Sequence, residues 1–211
     1  MESKSYSWMG RFFSDDYVVE NKVVNLFGGQ VVRYILAKVV YAFRGIIFSW
    51  NKNELNDELK KNGIVTIKDF LSPSDYKLLL DEFEALKNIG VHEPIVDGDT
   101  TCDRYTLDKS NVEQFSILNN KIILSPELVE ILEYAERRTF ATPKIWCDSV
   151  INGDQAVGED SQKVLHTDNF FLTHKVWFFL DDVTIDDGPL CVVPKTHKFN
   201  FKRVVFEYIN S

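Results

Sequence analysis

The sequence predicts a mixed α/β domain, and three observations lead to that prediction. The chain has 211 residues, of which 45% are hydrophobic and 13% aromatic, enough apolar material for a packed core. Two Ser-Pro pairs each open a segment with the apolar spacing of an amphipathic helix. Several later segments are short, apolar and bounded by Gly, Pro or Asp, which is typical of strands.

Residues 1–50 differ from the remainder in charge and are treated as an N-terminal helical extension of a domain at 51–211. They carry a net charge of +2, whereas residues 51–211 carry −10. Residues 31–50 are apolar at 15 of 20 positions, but three basic residues interrupt them, so a membrane span is not expected. Two interpretations remain: a helix packed on the domain and, as the alternative, a basic helix lying on a membrane surface.

From residue 51 onward, helices and strands are predicted in order. A polar helix at 52–62 ends at Gly63, and Ser72-Pro73 and Ser125-Pro126 each open a further helix. The second of these runs to about Gly90 and the third through Tyr134. Strands are predicted at 64–70, 144–151, 162–166, 175–180 and 189–193, with a further candidate strand at 101–107.

The chemistry is concentrated at His166 and Asp168, which are two residues apart. On a strand, residues i and i+2 lie on the same face, so one imidazole and one carboxylate would converge. These are two of the three ligands of the 2-His-1-carboxylate triad, which holds Fe(II) and leaves positions open for a cosubstrate and O₂. The alternative is a hydrogen-bonded surface pair, which the same tripeptide pattern also marks.

Longer sequences surround this pair. LHTD at 165–168 is followed by HKVWFFLDDVTIDDGPLCVVPKTHK at 174–198, and GIVTIKDFLSPSDYKLLLDEFEAL precedes it at 63–86. Together they resemble the phytanoyl-CoA dioxygenase family over residues 62–198, roughly two thirds of the chain. The segment near His166 is the specific part of this resemblance, whereas residues 1–50 have no counterpart in it.

The resemblance implies an α+β chain folded as a double-stranded β-helix, a cupin-like jelly roll, with flanking N-terminal helices. It implies Fe(II), 2-oxoglutarate as cosubstrate, and O₂-dependent hydroxylation of a small or medium organic molecule. His166 and Asp168 match the first two iron ligands of the family, and Trp177 matches an aromatic residue that helps to wall the cosubstrate pocket. Asp168 implies a hydroxylase, because related halogenases have a small residue there so that chloride can bind.

The end of the chain departs from the family pattern. In the family, a second histidine ligand and an arginine for 2-oxoglutarate lie tens of residues beyond the segment that VPKTHK matches. Here 13 residues follow Lys198, and they include Arg203 but no histidine. We therefore expect the β-helix to lack its C-terminal strands, in a fragment of a longer protein or in a shortened, inactive relative. His197 is either a replacement ligand or, as its match in the family implies, a loop histidine near the mouth of the site.

Charge and cysteine content exclude other classes of protein. A net charge of −8 and a pI near 5.1 disfavour binding to nucleic acid. Three widely spaced cysteines without a CxxC pair predict neither a disulfide framework nor a zinc ribbon, and no signal-peptide pattern opens the chain, so we expect a cytoplasmic protein. The alternative to an oxygenase is a catalytically inactive family member that acts as a binding or membrane-surface scaffold protein.

Three further residues carry weaker hypotheses. Arg104 could bind an anion or form an ordinary surface ion pair. His174 is a minor candidate for a metal ligand at the start of a strand, and His92 is expected in a loop. The acidic residues between 181 and 187 are expected to form a solvated turn, since their spacing does not match a calcium-binding loop.

Overall fold

The computed structural model describes residues 12–13, 16–48, 53–97, 100–151, 163–166 and 173–209 and shows a mixed α/β arrangement. The helices are α1 (Asp16–Val19), α2 (Lys22–Leu26), α3 (Gly29–Ile47), α4 (Glu54–Asn62), α5 (Pro73–Leu86), α6 (Lys109–Val112), a π-helix (Ile117–Ile123), α7 (Pro126–Glu136), a 3₁₀ turn (Ile185–Asp187) and α8 (Phe201–Ile209). The strands are β1 (Val91–Asp97), β2 (Thr100–Leu107) and β3 (Ile145–Ile151).

The three predicted helices after residue 51 are confirmed, because their ends are set by neighbouring residues. The side chains of Asn53, Ser72 and Ser125 accept hydrogen bonds from backbone N–H groups in the first turns of α4, α5 and α7. Each bond satisfies one of the donors that a helix N-terminus leaves without a partner. Gly63 ends α4 with a φ of 80°, a left-handed conformation that suits glycine.

Helix α3 is anchored to the chain on both sides of it in sequence. The Arg33 side chain is fully buried and donates to the carbonyl groups of Phe12 (2.7 Å) and Val18 (2.9 Å) and to Asn25 Oδ1 (2.9 Å). These three bonds satisfy a charged group that is costly to bury otherwise. Farther along the chain, the ring of Phe199 stacks on Tyr34, with 5.8 Å between ring centroids.

The sheet is antiparallel in the order β1-β2-β3. Strands β2 and β3 were expected at 101–107 and 144–151, and both predictions are confirmed. Strand β1 was not predicted, and the expectation that His92 lies in a loop is wrong. His92 is on β1 opposite Tyr105, its ring stacks on that tyrosine, and its Nε2 lies 2.8 Å from Asp103 Oδ1. A proline within the segment obscured the strand pattern, and an edge strand tolerates it.

The apolar core consists of two neighbouring clusters. One joins α5, the π-helix and α7, and the other joins α5, β2 and the segment before the π-helix. The Glu82 carboxylate accepts hydrogen bonds from the backbone N–H groups of Ile117 (2.8 Å) and Leu118 (2.9 Å), which fixes the start of the π-helix against α5. The core members are Leu79, Ile117, Ile122, Leu128 and Leu132 in the first cluster, and Leu86, Leu107, Val112, Phe115 and Ile123 in the second.

Four predicted strands are not strands in the described structure: residues 64–70, 163–166 of the predicted 162–166, 175–180 and 189–193. A strand requires a neighbour that completes its hydrogen-bond ladder, and within the described ranges these segments pair with none. Two of the four segments, 64–70 and 175–180, contact the core instead, because Phe70, Phe178 and Leu180 pack against the first core cluster. The described residues therefore display a three-stranded sheet, and the predicted double-stranded β-helix is not confirmed among them.

Candidate metal-binding segment

The imidazole of His166 is in a tautomer that suits metal binding. Its Nδ1 lies 2.7 Å from the carbonyl oxygen of Val164, and the residue is exposed. A carbonyl oxygen can only accept a hydrogen bond, so Nδ1 carries the proton and the neutral ring has its lone pair on Nε2. Histidine ligands commonly have this arrangement, with one nitrogen directed to a carbonyl and the other to a metal. The local geometry thus fits a ligand that binds through Nε2.

The other predicted ligand, Asp168, lies outside the described residues. That its carboxylate lies beside the His166 imidazole therefore stays a prediction. Within the ranges that the structure describes, no three His, Cys, Asp or Glu side chains are grouped so that they could hold a metal ion. Asp168 therefore stays the second ligand that the sequence predicts.

Trp177 lies in the segment 173–180 and does not pack on the core. Its neighbour Phe178 packs against the first core cluster, whereas Trp177 is 50% exposed. The hydroxyl group of Tyr76 on α5 donates to the Leu180 carbonyl and helps to hold the segment on the core. The indole is thus exposed, and its place in a cosubstrate pocket stays a prediction.

His197 is held against the C-terminal end of α4. Its Nε2 donates to the Lys60 carbonyl (3.1 Å), and the Lys195 backbone N–H donates to the Asn62 carbonyl (2.7 Å). From the other side, Lys38 Nζ of α3 donates to the His197 carbonyl (2.9 Å). The last carbonyl groups of a helix have no intrahelical partner, so the segment 195–197 supplies hydrogen-bond donors to carbonyl groups at the end of α4. The structure therefore gives His197 a docking contact with α4.

The close fit between His197 and α4 depends on Gly63. A Cβ atom added to Gly63 would lie 2.3 Å from His197 Nδ1. That nitrogen is buried and has no hydrogen-bond partner in the described part of the chain. In this position Nδ1 faces the backbone of α4, and Nε2 is engaged with a carbonyl oxygen. Both ring nitrogens are therefore directed at α4.

Two partly buried histidines are held in the neutral form. Burial lowers the pKa of His197, and the charges of Lys198 and Lys38 lower it further, against the hydrogen bond to the Lys60 carbonyl. Burial also lowers the pKa of His174, although the Glu136 carboxylate acts in the opposite direction. A histidine whose pKa lies below its ordinary value near 6.5 is uncharged at neutral pH. Neither ring therefore carries positive charge under physiological conditions.

The acidic turn is ordered by its own side chains. Asp187 Oδ2 accepts hydrogen bonds from the Thr184 backbone N–H (2.7 Å) and from Thr184 Oγ1 (2.6 Å). These bonds lower the pKa of Asp187. Gly188 ends the turn with a φ of 68°, and Ile185 is 89% exposed. The geometry agrees with the prediction of a solvated turn rather than a calcium site.

Arg104 forms an ion pair across the sheet, which is the second of its two predicted roles. Its Nε and Nη2 donate to the Asp148 carboxylate at 2.9 and 2.7 Å, and its guanidinium lies 5.0 Å from the centre of the Trp146 ring. The hydrogen bonds to Asp148 raise the pKa of Arg104. Sequence analysis missed Asp148, although a single carboxylate in an otherwise apolar strand indicates a charged partner.

Comparison with known proteins identifies the family. The family model described as phytanoyl-CoA dioxygenase (PhyH) matches residues 59–208, which include the His166 segment, the sheet and helices α5 to α8. The match covers more than half of the chain, and the protein belongs to this family. Its members are Fe(II)/2-oxoglutarate-dependent oxygenases as a group, with a cupin-like fold. No curated protein and no solved structure matches the chain.

Proposed function

We propose that this protein is an Fe(II)/2-oxoglutarate-dependent dioxygenase that hydroxylates a small or medium organic molecule. The family match over residues 59–208 carries the proposal, because it spans the HxD sequence at 166–168. The tautomer of His166 supports it, since the hydrogen bond from Nδ1 to the Val164 carbonyl leaves the lone pair on Nε2. We propose that the family domain, within residues 51–211, is built as a double-stranded β-helix.

His166 and Asp168 would hold the iron in this proposal, and Trp177 would line the pocket for 2-oxoglutarate. When bound, the iron would activate O₂ and 2-oxoglutarate would supply two electrons for the reduction of O₂, which enables hydroxylation of a C–H bond. The chain's own contribution is to position these groups. The backbone carbonyl of Val164 orients the His166 ring, and the packing of Phe178 in the core orients Trp177 away from it.

For His197 we propose the loop position rather than a ligand position. Nε2 donates to the Lys60 carbonyl and Nδ1 faces Gly63, so metal binding would require the ring to leave α4. That movement would leave carbonyl groups at the end of α4 without their partners. The contacts of His197 therefore support a role in fixing the segment VPKTHK beside the site.

We also propose a reducing, cytoplasmic location. Cys102, Cys147 and Cys191 are all free thiols. Burial raises the pKa of Cys147 to about 11, so this thiol is protonated and unreactive at neutral pH. Three unpaired cysteines suit a compartment in which thiols remain reduced.

The test is turnover of 2-oxoglutarate by the full chain, supplied with Fe(II), ascorbate and O₂. Decarboxylation of 2-oxoglutarate yields succinate whichever organic molecule is hydroxylated, so the assay follows the cosubstrate. We expect succinate formation in the wild type and a loss of roughly 100-fold or more in His166→Ala and in Asp168→Ala. The matched control is His92→Ala, which removes an exposed imidazole on β1 and should leave turnover unchanged.

A catalytically inactive binding protein is the second candidate. It is kept because no group of three metal-binding side chains occurs among the described residues, to which Asp168 does not belong. Binding of Mn(II), followed by electron paramagnetic resonance, separates the two candidates. Binding that is lost in His166→Ala, together with succinate formation, supports the oxygenase. No succinate in the wild type would contradict the oxygenase and leave the binding protein.

A further inference from the structure

The apolar face of helix α3 is the largest feature that the proposed chemistry does not use. Its exposed side chains recur every three to four residues over about four turns, so they form one continuous stripe. Phe43 is 61% exposed and Ile46 is 82% exposed. The stripe consists of Val32, Leu36, Val39, Val40, Phe43, Ile46 and Ile47.

The opposite face of α3 is already occupied by the rest of the protein. Tyr34 stacks on Phe199, Lys38 binds the His197 carbonyl, and Gln30 Nε2 donates to Glu207 Oε2 at 3.1 Å. The Tyr41 carbonyl accepts a hydrogen bond from Arg137 at 2.9 Å. These contacts fix the rotation of the helix about its axis. The stripe consequently faces outward, and α3 cannot bury it by turning.

The apolar surface continues onto α2, the short helix before α3. Val23 and Leu26 are 65% and 67% exposed, and Phe27, at the end of α2, is 85% exposed. An exposed apolar surface of this extent is unusual in a soluble monomer and marks a site of interaction. A bilayer span is not the explanation, because no helix among the described residues is long and apolar enough to cross a membrane.

The charges around this surface indicate its partner. No Asp or Glu occurs between residues 21 and 53, although the whole chain carries a net charge of −8. Lys22 and Arg44 are exposed, and both lie within one helical turn of the apolar side chains. A second copy of the chain docked through the same surface would bring like charges together. An anionic lipid surface instead offers negative headgroups to the cations and an apolar layer to the stripe.

We propose that α2 and α3 form a membrane-docking surface that lies flat on a bilayer containing anionic lipid. The apolar stripe enters the boundary between headgroups and acyl chains, and Lys22 and Arg44 contact the phosphates. The acidic remainder of the protein faces the aqueous phase, because anionic headgroups repel it.

The experiment is flotation of the full chain with vesicles of phosphatidylcholine alone or with about a quarter phosphatidylglycerol. We expect binding to the mixed vesicles, weaker binding to the neutral ones, and a loss of roughly tenfold or more in Phe43→Glu. Ile185→Glu is the matched control, because it places the same charge at an apolar residue that is 89% exposed in the acidic turn. Arg44→Glu should weaken binding at low salt, whereas Lys77→Glu on α5 should not.

Light scattering on the same proteins completes the test. If Phe43→Glu does not fold, Ile46→Glu replaces it, since Ile46 is 82% exposed. Three results would overturn the proposal: no binding of the wild type to either vesicle, equal binding to neutral and anionic vesicles, or an equal loss in Ile185→Glu. A dimer that Phe43→Glu converts to monomer, without any vesicle binding, would assign the surface to self-association instead.

Discussion

At the scale of single residues, the fit between Gly63 and His197 shows how one position serves two purposes. Gly63 must adopt a positive φ to end α4, and it must lack a side chain because the His197 ring lies against it. The first requirement was predictable, because a glycine after a polar helical segment is typical of a helix end. The second was not, since His197 is distant in sequence and the fold brings it there.

The substitution Gly63→Ala separates these two requirements. We expect it to lower the free energy of unfolding by about 2–4 kcal/mol, the sum of left-handed strain and the clash with His197 Nδ1. Gly28→Ala is the matched control, because Gly28 has a φ of 83° but nothing within 4 Å of its added Cβ. It should cost only about 1 kcal/mol. Equal losses for the two variants in urea unfolding would argue against the docking of His197 on α4.

At the scale of secondary-structure elements, the sheet depends on pairings that the sequence only partly indicated. The alternation in β2 and β3 was recognised, yet neither β1 nor Asp148, the ion-pair partner of Arg104, was predicted. The two partners of that pair are 44 residues apart in sequence. Their register follows from the sheet, which sets Arg104 directly opposite Asp148.

A double-mutant cycle of Arg104→Ala and Asp148→Ala measures what this pair contributes. Because both side chains are about one third exposed, we expect a coupling energy of about 0.5–1 kcal/mol, decreasing with salt. Urea unfolding of the wild type, the two single variants and the double variant supplies the four values. A coupling energy near zero would favour the other role predicted for Arg104, the binding of an anion.

At the scale of the whole molecule, the C-terminal part of the described chain is held on the N-terminal helices. His197 contacts α4 and Lys38 of α3, α8 contacts α3 through Glu207, and the Tyr208 hydroxyl donates to the Leu26 carbonyl at 3.3 Å. Residues 21–48 are therefore integrated with the family domain in space. The basic N-terminal helix packs on the domain with one face and leaves its other face for a partner.

The two histidines that burial keeps neutral make the free energy of unfolding depend on pH. The pKa values of His174 and His197 are lowered in the folded protein, so the unfolded chain binds more protons below pH ~6.5. The free energy of unfolding is therefore at its full value above the pKa that these histidines have in the unfolded chain. It decreases as the pH falls through that pKa toward the lower pKa values of the folded protein. We expect the wild type to lose stability between pH ~7 and ~5, and the double variant His174→Gln, His197→Gln to lose less.

Urea unfolding at several pH values in this window checks that expectation. The window lies above the range in which the carboxyl groups with lowered pKa values, Asp108 and Asp187, begin to protonate in the unfolded chain. Their contribution declines only at lower pH, so it does not obscure the histidine effect. An unchanged slope in the double variant would show that neither imidazole is excluded from water as the structure indicates.

The sequence by itself determined the features whose partners lie nearby. The ends of α4, α5 and α7 are set by Asn53, Gly63, Ser72 and Ser125, which satisfy backbone groups within about one turn. The HxD pair and its surroundings likewise indicated the family that the comparison confirmed. These features can be predicted because the residues that interact are only two to four positions apart in the sequence.

The tertiary structure decided everything that joins distant segments. The apolar segments at 64–70 and 175–180 were predicted to be strands. A segment that packs on the core and a strand that pairs in a sheet can have the same apolar pattern, so only the fold distinguishes the two cases. The docking of His197 on α4 across 137 residues was decided in the same way. The physical reason is that these features depend on which surfaces meet in the folded protein. This holds for a hydrogen-bond ladder, for a docked imidazole and for an outward-facing apolar stripe, and the order of residues along the chain does not specify those contacts.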